Sequence, residues 1–373
     1  MRRFILEQVI HTLSTGDAVV FQPSLKSIFV RFQAPRKVLS TSLLNGAYRE
    51  DFVGVFNHNC GDDKTGHCDL KASTYQEHLR VLAGELGFNP DHATGMGTAA
   101  EMENAVVVVQ SYRELTVTAI VTGGVEGNGG RAGDPATYYA PQQKLANHKP
   151  GTINIILVLD TDLPAGILAR ALVTCTEAKT AALQELMAGS LYSNGLATGS
   201  GTDQTIVIAN PQSPLYFEGA GKHSKLGELI GVVVKEAVKE ALYKQSGLSP
   251  AMQYSMLRRW QRYGIHTESL WQAYTKDHSR SQLEKHEFEA ALASLDKESR
   301  VVAISSLYIH LLDQFNWGLL PLADVKQELQ MLITQAYRRF HLAESLVVGE
   351  TLEDFVAVWK NFMLDWVANQ TAI

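Results

Sequence analysis

The sequence predicts an α+β protein, in which layers of sheet and helix form a first domain and an all-α extension follows. Short β-rich runs dominate the first 125 residues, and apolar strands alternate with amphipathic helices from 151 to 244. Beyond residue 246 the β-branched runs disappear and the apolar patterns become helical. An αββα-like arrangement is one form of the layered domain that this pattern allows.

The first part of the chain predicts strands around one helix. Four β-rich runs, separated by Pro, Asn and Gly, lie at 17–22, 27–32, 37–41 and 52–56. Leu79, Leu82 and Leu86 share one face of a helix predicted over 73–87, with Ser73 as its N-cap. Two apolar runs, at 103–110 and 115–122, predict a hairpin, and a glycine-rich loop follows over 123–134.

The segment from 151 to 244 predicts strand, helix, strand and helix. Residues 152–159 and 205–209 are almost unbroken apolar runs, which are typical of strands covered on both faces. Asp162 is the expected cap of the helix between them, and Pro164 fits its first turn. From Lys225, apolar residues recur at helical spacing. A composition shift near 246–250 indicates two domains, 1–246 and 250–373.

Composition and charge exclude several classes of function. The chain has 373 residues, of which 45% are hydrophobic and 19% charged, as in folded globular proteins. A formal net charge of −6 offers no electrostatic basis for binding nucleic acid or an anionic membrane. The apolar runs are too short to cross a bilayer, and Glu7 and His11 interrupt any signal-peptide core. We therefore expect a cytoplasmic protein, with homo-oligomerisation left open.

The three cysteines, Cys60, Cys68 and Cys175, match no disulfide framework and suit a reducing compartment. Two of them lie in the stretch 58–68, which also contains two His and two Asp. These residue types bind zinc, but their spacing matches no standard zinc motif. A Gly- and Asp-rich loop is therefore favoured over a metal site, and we expect no bound metal.

Four polar clusters lie at the ends of apolar elements, where a rigid scaffold can hold side chains towards a cleft. They occupy 124–134, 151–154, 177–180 with 197–203, and 222–228. The glycine-rich loop over 127–134 could offer backbone N–H groups to an anion, and a plain turn explains it equally well. Arg131 and Asp134 in this loop are candidates for substrate binding, or for pairing with each other.

Lys179 is informative because it lies on the apolar stripe of its helix, whereas Glu177 lies on another face. A lysine there must snorkel, form a pair or lie in a functional pocket, and snorkelling is the commoner outcome. The string ATGSGTD at 197–203 precedes a buried strand; a tight turn explains its glycines, whereas its hydroxyls suit substrate binding or nucleophilic chemistry. His223 is either a general acid–base or an exposed helix start.

Taken together and in this order, the clusters resemble the adenosylcobinamide amidohydrolase family. The specific stretches are GTINI at 151–155, TEAKTAAL at 176–183 and ATGSGTD at 197–203, and the loop at 124–134 carries extra glycines. The resemblance covers about the first two thirds of the chain. It implies hydrolysis of the amide between the corrin ring and its aminopropanol arm, giving adenosylcobyric acid. The corrinoid is then the substrate, and no cofactor is required.

A second, weaker similarity suggests a mechanism. Gly151-Thr152 before an apolar strand, with a later GSG turn, resembles the self-cleaving aminopeptidases and ornithine acetyltransferases, whose nucleophile is a Ser or Thr at the start of such a strand. Carried over, Thr152 would attack the amide and Asn128 would donate to the oxyanion. The base would be the Thr152 amine after cleavage at Gly151, or Lys179. Equally, Thr152 is simply a β-branched strand residue.

These arguments give one set of site candidates. Catalytic roles are expected for Thr152, Lys179, Ser200 and Asp203. Substrate contacts are expected from Asn128, Arg131, Asp134, Asn154, Glu177, Thr180, Thr202 and His223.

Two other functions stay open. One is cleavage or acyl transfer on a different amide. The other is corrinoid binding without hydrolysis, with the helical extension contacting a partner. Nothing in the extension has catalytic spacing, and its five tryptophans are expected in a core.

Overall fold

The structure is a computed structural model that describes residues 7–61, 68–136, 139, 151–277, 283–343 and 347–370. The chain divides into two compact units, one ending at Ser249 and the other starting at Pro250. The first unit combines sheets and helices, and the described residues of the second form only helices. The predicted α+β class with a helical extension is therefore confirmed.

The first unit contains thirteen strands and three α-helices within the described ranges. The strands are β1 (Gln8–Thr12), β2 (Ala18–Gln22), β3 (Ser27–Arg31), β4 (Lys37–Ser40), β5 (Ala47–Arg49), β6 (Gly54–Asn59), β7 (Ala93–Thr98), β8 (Val106–Tyr112), β9 (Leu115–Gly123), β10 (Gly129–Gly130), β11 (Ile153–Leu159), β12 (Gly199–Ser200) and β13 (Gln204–Ala209). The helices are α1 (Tyr75–Glu85), α2 (Ala165–Glu185) and α3 (Lys225–Ser246).

Two large sheets face each other in this unit. The first has the strand order β1-β2-β3-β6-β7 and the second β5-β4-β13-β11-β9-β8, while β10 and β12 pair separately. One apolar core joins the sheets, with Val30 and Val55 from the first and Ile120, Ile156 and Ile206 from the second. Helix α1 packs on the outer face of the first sheet, and α2 and α3 pack on the second. The layers therefore follow the αββα order.

Strand β11 is central to the second sheet. It pairs in parallel with β13 and antiparallel with β9, and all seven of its residues are buried. Ile156 and Val158 belong to the core between the sheets. Because successive side chains of a strand point to opposite faces, Asn154 lies on this same intersheet face. A polar side chain is thus held at the end of an apolar core.

Some predicted elements are confirmed with small changes. Strands β8 and β9 form the expected hairpin, in which Arg113 occupies the turn with a φ of 52°. Helix α1 is capped by Thr74 rather than Ser73, since the Thr74 side chain accepts the N–H of Glu77. Ser73 and Thr74 both carry a hydroxyl group, and the observed cap lies one residue after the predicted one.

The predicted cap of α2 is wrong. Pro164 occupies the N-cap position without a side-chain cap. Asp162 instead accepts from Lys37 Nζ at 2.6 Å. Its carboxylate is therefore occupied by a cation from β4.

Strand β7 is not among the strands that the sequence predicted. Its two glycines, Gly95 and Gly97, hide the strand pattern, but each has a packing reason. A Cβ at Gly95 would lie 2.1 Å from the Phe56 ring, and one at Gly97 would lie 2.7 Å from the Tyr75 hydroxyl. Close approach of aromatic rings therefore explains glycine in this strand.

The prediction of no disulfide is wrong for Cys60 and Cys68, which are bonded to each other. An antiparallel bridge between Gly61 and Cys68 returns the chain to the end of β6, and Asp69 N–H donates to the Cys60 carbonyl at 2.8 Å. Cys175 is free and buried. The zinc alternative depends partly on 62–67, which lie outside the described residues. Among the residues that the structure describes, no group of three or more His, Cys, Asp or Glu side chains is placed to hold a metal ion.

The second unit is built around aromatic side chains. Its helices are α4 (Pro250–Gln253), α5 (Met256–Trp260), α6 (Thr267–Lys276), α7 (Lys285–Asp296), α8 (Ser299–Asn316), α9 (Leu322–Arg339) and α10 (Leu352–Asn369). Trp260 stacks on Trp359 with ring centroids 5.5 Å apart, and its Nε1 donates to Ser305 Oγ at 2.8 Å. Trp366 is also buried, and Trp271 packs against the core.

The core prediction is wrong for Trp317. This residue follows the last turn of α8 and is 45% exposed. None of the helices in the described ranges combines the length and the hydropathy that crossing a bilayer requires.

Candidate active site

The carboxylate of Asp203 connects several of the predicted polar clusters. Its Oδ1 accepts the N–H of Ile153 at 2.8 Å and the hydroxyl of Ser200 at 2.7 Å. Its Oδ2 accepts the Ser200 N–H at 3.0 Å and pairs with the Lys179 ammonium. The Lys179 and Asp203 side chains are only 11% and 12% exposed. The start of β11, helix α2 and the ATGSGTD loop therefore meet at one carboxylate.

Gly199 allows this pair to form. A Cβ at this position would lie 2.2 Å from Asp203 Oδ2 and 2.7 Å from Lys179 Nζ. A side chain at this position would have to displace the carboxylate and the ammonium, so glycine preserves the ion pair in its present geometry. The lysine on the apolar stripe of α2 is thus paired rather than snorkelling.

The glycine-rich loop reaches the same place through its backbone. Gly129 pairs with Ser200, and Gly130 with Gly199, in the ladder of β10 and β12. Asp134 accepts the hydroxyl of Ser190 at 2.6 Å and the backbone N–H of Arg131 at 2.7 Å. The ladder places this loop against the ATGSGTD loop, and Asp134 ties it to Ser190.

The carbonyl of Gly151 lies between two side-chain donors. Asn128 Nδ2 donates to it at 3.2 Å and Thr202 Oγ1 at 3.1 Å. The Tyr192 hydroxyl donates to Asn128 Oδ1 at 2.8 Å, which fixes the orientation of the amide. Gly151 itself has a φ of 143°, a conformation that favours glycine. Two donors thus converge on the peptide oxygen directly before Thr152.

Thr152 lies one residue before β11, with 4% of its surface exposed. Its Oγ1 has no hydrogen-bond partner among the described residues. A buried hydroxyl without a partner costs free energy, so fold stability does not account for this group. The Gly124 N–H donates to the Thr152 carbonyl at 3.0 Å, so the pairing with β9 continues one residue beyond β11. Because Thr152 is two residues before Asn154 on this extended backbone, alternation places both side chains on the intersheet face.

Asn154 is the centre of a hydrogen-bonded network between the sheets. Its Nδ2 donates to Asn57 Oδ1 at 2.8 Å and to the Gly97 carbonyl at 3.0 Å, and Asn57 Nδ2 donates to Thr122 Oγ1 at 2.8 Å. A backbone carbonyl only accepts, so the contact with Gly97 fixes which atom is Nδ2. The opposite atom, Oδ1, is buried and lacks a partner within the described chain.

Tyr75 and Gln204 extend this network. Gln204 is the neighbour of Asn154 in the parallel pairing of β11 and β13, and its Nε2 lies 3.3 Å from the Tyr75 hydroxyl. That hydroxyl also accepts the Gly97 N–H at 2.7 Å. Burial raises the pKa of Tyr75, so the phenol stays protonated.

Sequence reasoning missed Asn57, Tyr75 and Gln204 because their partners come from the other sheet or from helix α1. The alternation of side chains along a strand could have indicated two of these positions. Asn154 and Gln204 share a face with the apolar residues that follow them at every second position.

Other predicted residues have different positions. Thr180 Oγ1 donates to the Thr198 carbonyl at 3.1 Å and so helps to hold the ATGSGTD loop. Glu177 pairs with Lys222 at 3.0 Å on an exposed surface, and His223 is exposed in the turn before α3. Arg131 Nη1 donates to the Leu196 carbonyl at 3.4 Å. Roles of these residues in substrate binding stay predictions.

Comparison with known proteins shows that the chain belongs to a family of amide-cleaving hydrolases. The family is that of adenosylcobinamide amidohydrolase, whose model matches residues 10–250 and therefore more than half of the chain. A relative, the uncharacterized protein MJ1613 of Methanocaldococcus jannaschii, is 34% identical over 231 residues, which cover 59% of this chain and 87% of the relative.

Two solved structures overlap weakly with this chain. The PH0078 protein of Pyrococcus horikoshii shares 13% identity at a TM-score of 0.30, covering 64% of this chain and 86% of its own. The L-aminopeptidase D-Ala-esterase/amidase of Ochrobactrum anthropi, described as a variant of the Ntn hydrolase fold, shares 12% identity at a TM-score of 0.27, covering 64% and 82%. TM-scores and sequence identities this low do not support any inference about function.

Proposed function

We propose that this protein hydrolyses the amide linking the corrin ring of adenosylcobinamide to its aminopropanol arm, giving adenosylcobyric acid and aminopropanol. One observation carries the proposal: in a chain of this family, the buried Thr152 hydroxyl has no partner among the described residues and lies beside a network anchored by Asp203. The corrinoid is the substrate, and the reaction needs no added cofactor.

Thr152 is the nucleophile in this mechanism. Its Oγ1 attacks the carbonyl carbon of the substrate, a C–O bond forms, and the C–N bond breaks. The hydroxyl proton passes to the departing amine. Water then hydrolyses the resulting ester, so that amide and water yield one carboxylic acid and one amine.

Asp203 and Lys179 act as positioning residues. The Lys179 ammonium already donates to Asp203, and a paired ammonium has no free electron pair with which to accept a proton. Asp203 in turn holds the N–H of Ile153, the residue next to Thr152. The pair therefore fixes the start of β11, and the base must come from elsewhere.

The contacts of Gly151 favour the Thr152 amine as that base. Asn128 and Thr202 donate to the Gly151 carbonyl, where they would stabilise negative charge on its oxygen. Attack by Thr152 Oγ1 on this carbonyl would replace the peptide bond with an ester. Water would then release a chain ending at Gly151 and a free amine on Thr152.

Mass spectrometry of the purified protein tests this maturation step. We expect two fragments that meet between Gly151 and Thr152, and one intact chain for Thr152→Ala. An active wild-type protein that consists only of intact chain would contradict self-cleavage.

The proposal treats the protein as a cytoplasmic enzyme with a small-molecule substrate and no nucleic-acid or membrane partner. The net charge of −6 supports this choice of partner.

Incubation of the purified protein with adenosylcobinamide tests the activity. We expect adenosylcobyric acid and free aminopropanol, detected by mass spectrometry. Tight binding of the corrinoid without product would instead indicate a binding protein. If neither binding nor product occurs, the corrinoid proposal is wrong.

A further inference from the structure

The end of the intersheet core carries buried oxygen atoms that can accept hydrogen bonds. Thr152 Oγ1, Asn154 Oδ1 and Gln204 Oε1 are all buried and have no partner among the described residues. Asn154 is the best defined of these, since it is fully buried and its Nδ2 is committed to Asn57 and Gly97. An acceptor held so rigidly fits a ligand that donates a hydrogen bond.

The surrounding charge selects the kind of donor. The side chains bonded in this network, Asn57, Tyr75, Thr122 and Gln204, are all neutral. The Asp203 carboxylate, which accepts the N–H of Ile153, is already paired with the Lys179 ammonium. A buried ammonium would need a carboxylate beside it, whereas an amide N–H needs only a neutral acceptor. A neutral N–H group is therefore the best match for Asn154 Oδ1.

The position of Asn154 indicates which N–H this is. The Gly124 N–H donates to the Thr152 carbonyl at 3.0 Å, so the extended pairing with β9 continues to Thr152. Residues two apart on extended backbone are about 7 Å apart and share a face, so Thr152 and Asn154 lie on the same face. When the carbonyl carbon of an amide contacts Thr152 Oγ1, the nitrogen that carries the N–H is one bond from that carbon.

Resting on the proposed hydrolysis, we propose that Asn154 Oδ1 accepts the N–H of the amide being cleaved and thereby selects amides over esters. An ester has an oxygen in place of the N–H. Bound in the same way, it would leave Asn154 Oδ1 buried and unpaired, which disfavours its transition state. Asn154 is thus a specificity-determining residue.

A comparison of two substrates with two enzymes tests this role. The substrates are adenosylcobinamide and the matching ester, in which oxygen replaces the amide nitrogen. We expect the ratio of kcat/KM for amide to that for ester to fall about 10- to 100-fold in Asn154→Ala relative to wild type. The different intrinsic reactivities of amide and ester affect both enzymes equally, and general damage to the site affects both substrates equally. Both effects therefore cancel when the two ratios of kcat/KM are compared.

Asn210→Ala is the matched control, because Asn210 is a buried asparagine directly after β13, at the opposite end of that strand. It should leave the selectivity unchanged. If Asn154→Ala does not fold, wild type alone serves: the N-methyl tertiary amide, which lacks the N–H, should lose about 10- to 100-fold in kcat/KM.

The outcomes separate this inference from the proposed function. If wild type hydrolyses adenosylcobinamide but Asn154→Ala keeps its selectivity, or the N-methyl amide is cleaved as fast as the parent, only the inference is wrong. If wild type cleaves none of the three substrates, the proposed function fails and this inference with it.

Discussion

Asp203 makes more contacts with the candidate site than a simple ion pair requires. It receives two backbone N–H groups, a hydroxyl and an ammonium, and these come from three different parts of the chain. Charge-assisted hydrogen bonds of this kind hold geometry well. The carboxylate therefore fixes the start of β11 against α2.

We predict that Asp203→Asn lowers both stability and turnover. It leaves the Lys179 ammonium poorly exposed and without its counter-charge, which should cost about 3 kcal/mol. Turnover of adenosylcobinamide and amide exchange in β11 measure the two effects. Asp162→Asn, which weakens the more exposed pair with Lys37, is the control. Unchanged turnover in Asp203→Asn would contradict the positioning role.

His58 makes the first unit sensitive to acid. It is buried on β6, with Nδ1 2.9 Å from Ser27 Oγ. Burial, followed by the nearby charge of His78, lowers its pKa to about 4 from an ordinary value of about 6.5. Burial also lowers the pKa of His78.

Between these pKa values the unfolded chain binds a proton at His58 that the folded chain does not. We therefore predict that stability falls as the pH drops from about 6.5 to about 4, by at most about 3 kcal/mol from this residue. Amide exchange of β6 measured across this range provides the readout. The slope should be shallower in His58→Asn; an equal slope would show that His58 is not responsible.

At the scale of elements, the disulfide joins the end of β6 to the segment before α1. These two elements carry Asn57 and Tyr75, which both contact the network around Asn154. We predict that Cys60→Ser lowers stability by about 2–3 kcal/mol, the loop-closure value for a sequence separation of 8 residues. Amide exchange should rise at the start of α1. Unchanged exchange there would show that hydrogen bonds alone hold this segment.

The sequence predicts strongly periodic elements well. The apolar runs of β11 and β13 and the stripes of α2 and α3 have patterns that local residues determine. Strand β7 escaped prediction because Gly95 and Gly97 accommodate rings that come from β6 and α1. The Cys60–Cys68 bond escaped because pairing depends on a chain reversal, not on residue type.

The candidate site was predictable in part for the same reason. Lys179 is conspicuous because an apolar stripe rarely contains a lysine, and Asp203 stands beside a buried strand. Their pairing depends on the tertiary fold, which brings α2 and the ATGSGTD loop together. The intersheet network was missed because Asn57 and Asn154 lie 97 residues apart and meet only when the sheets stack.

At the scale of the whole molecule, the two units have separate cores. The core of the second contains Trp260 and Trp359, and the cores of the first contain no tryptophan. All five tryptophans follow residue 250. Intrinsic tryptophan fluorescence therefore reports on the second unit, whereas corrinoid turnover reports on the first.

The central claim is that Thr152 is the nucleophile of an adenosylcobinamide hydrolase, and turnover by matched threonine variants tests it most directly. Thr118→Ala is the control, because Thr118 is equally buried but lies on β9 away from the polar end of β11. We predict that Thr152→Ala loses about 10³-fold or more in release of adenosylcobyric acid, that Thr152→Ser retains measurable release, and that Thr118→Ala matches wild type. Turnover by Thr152→Ala close to that of wild type would contradict the account.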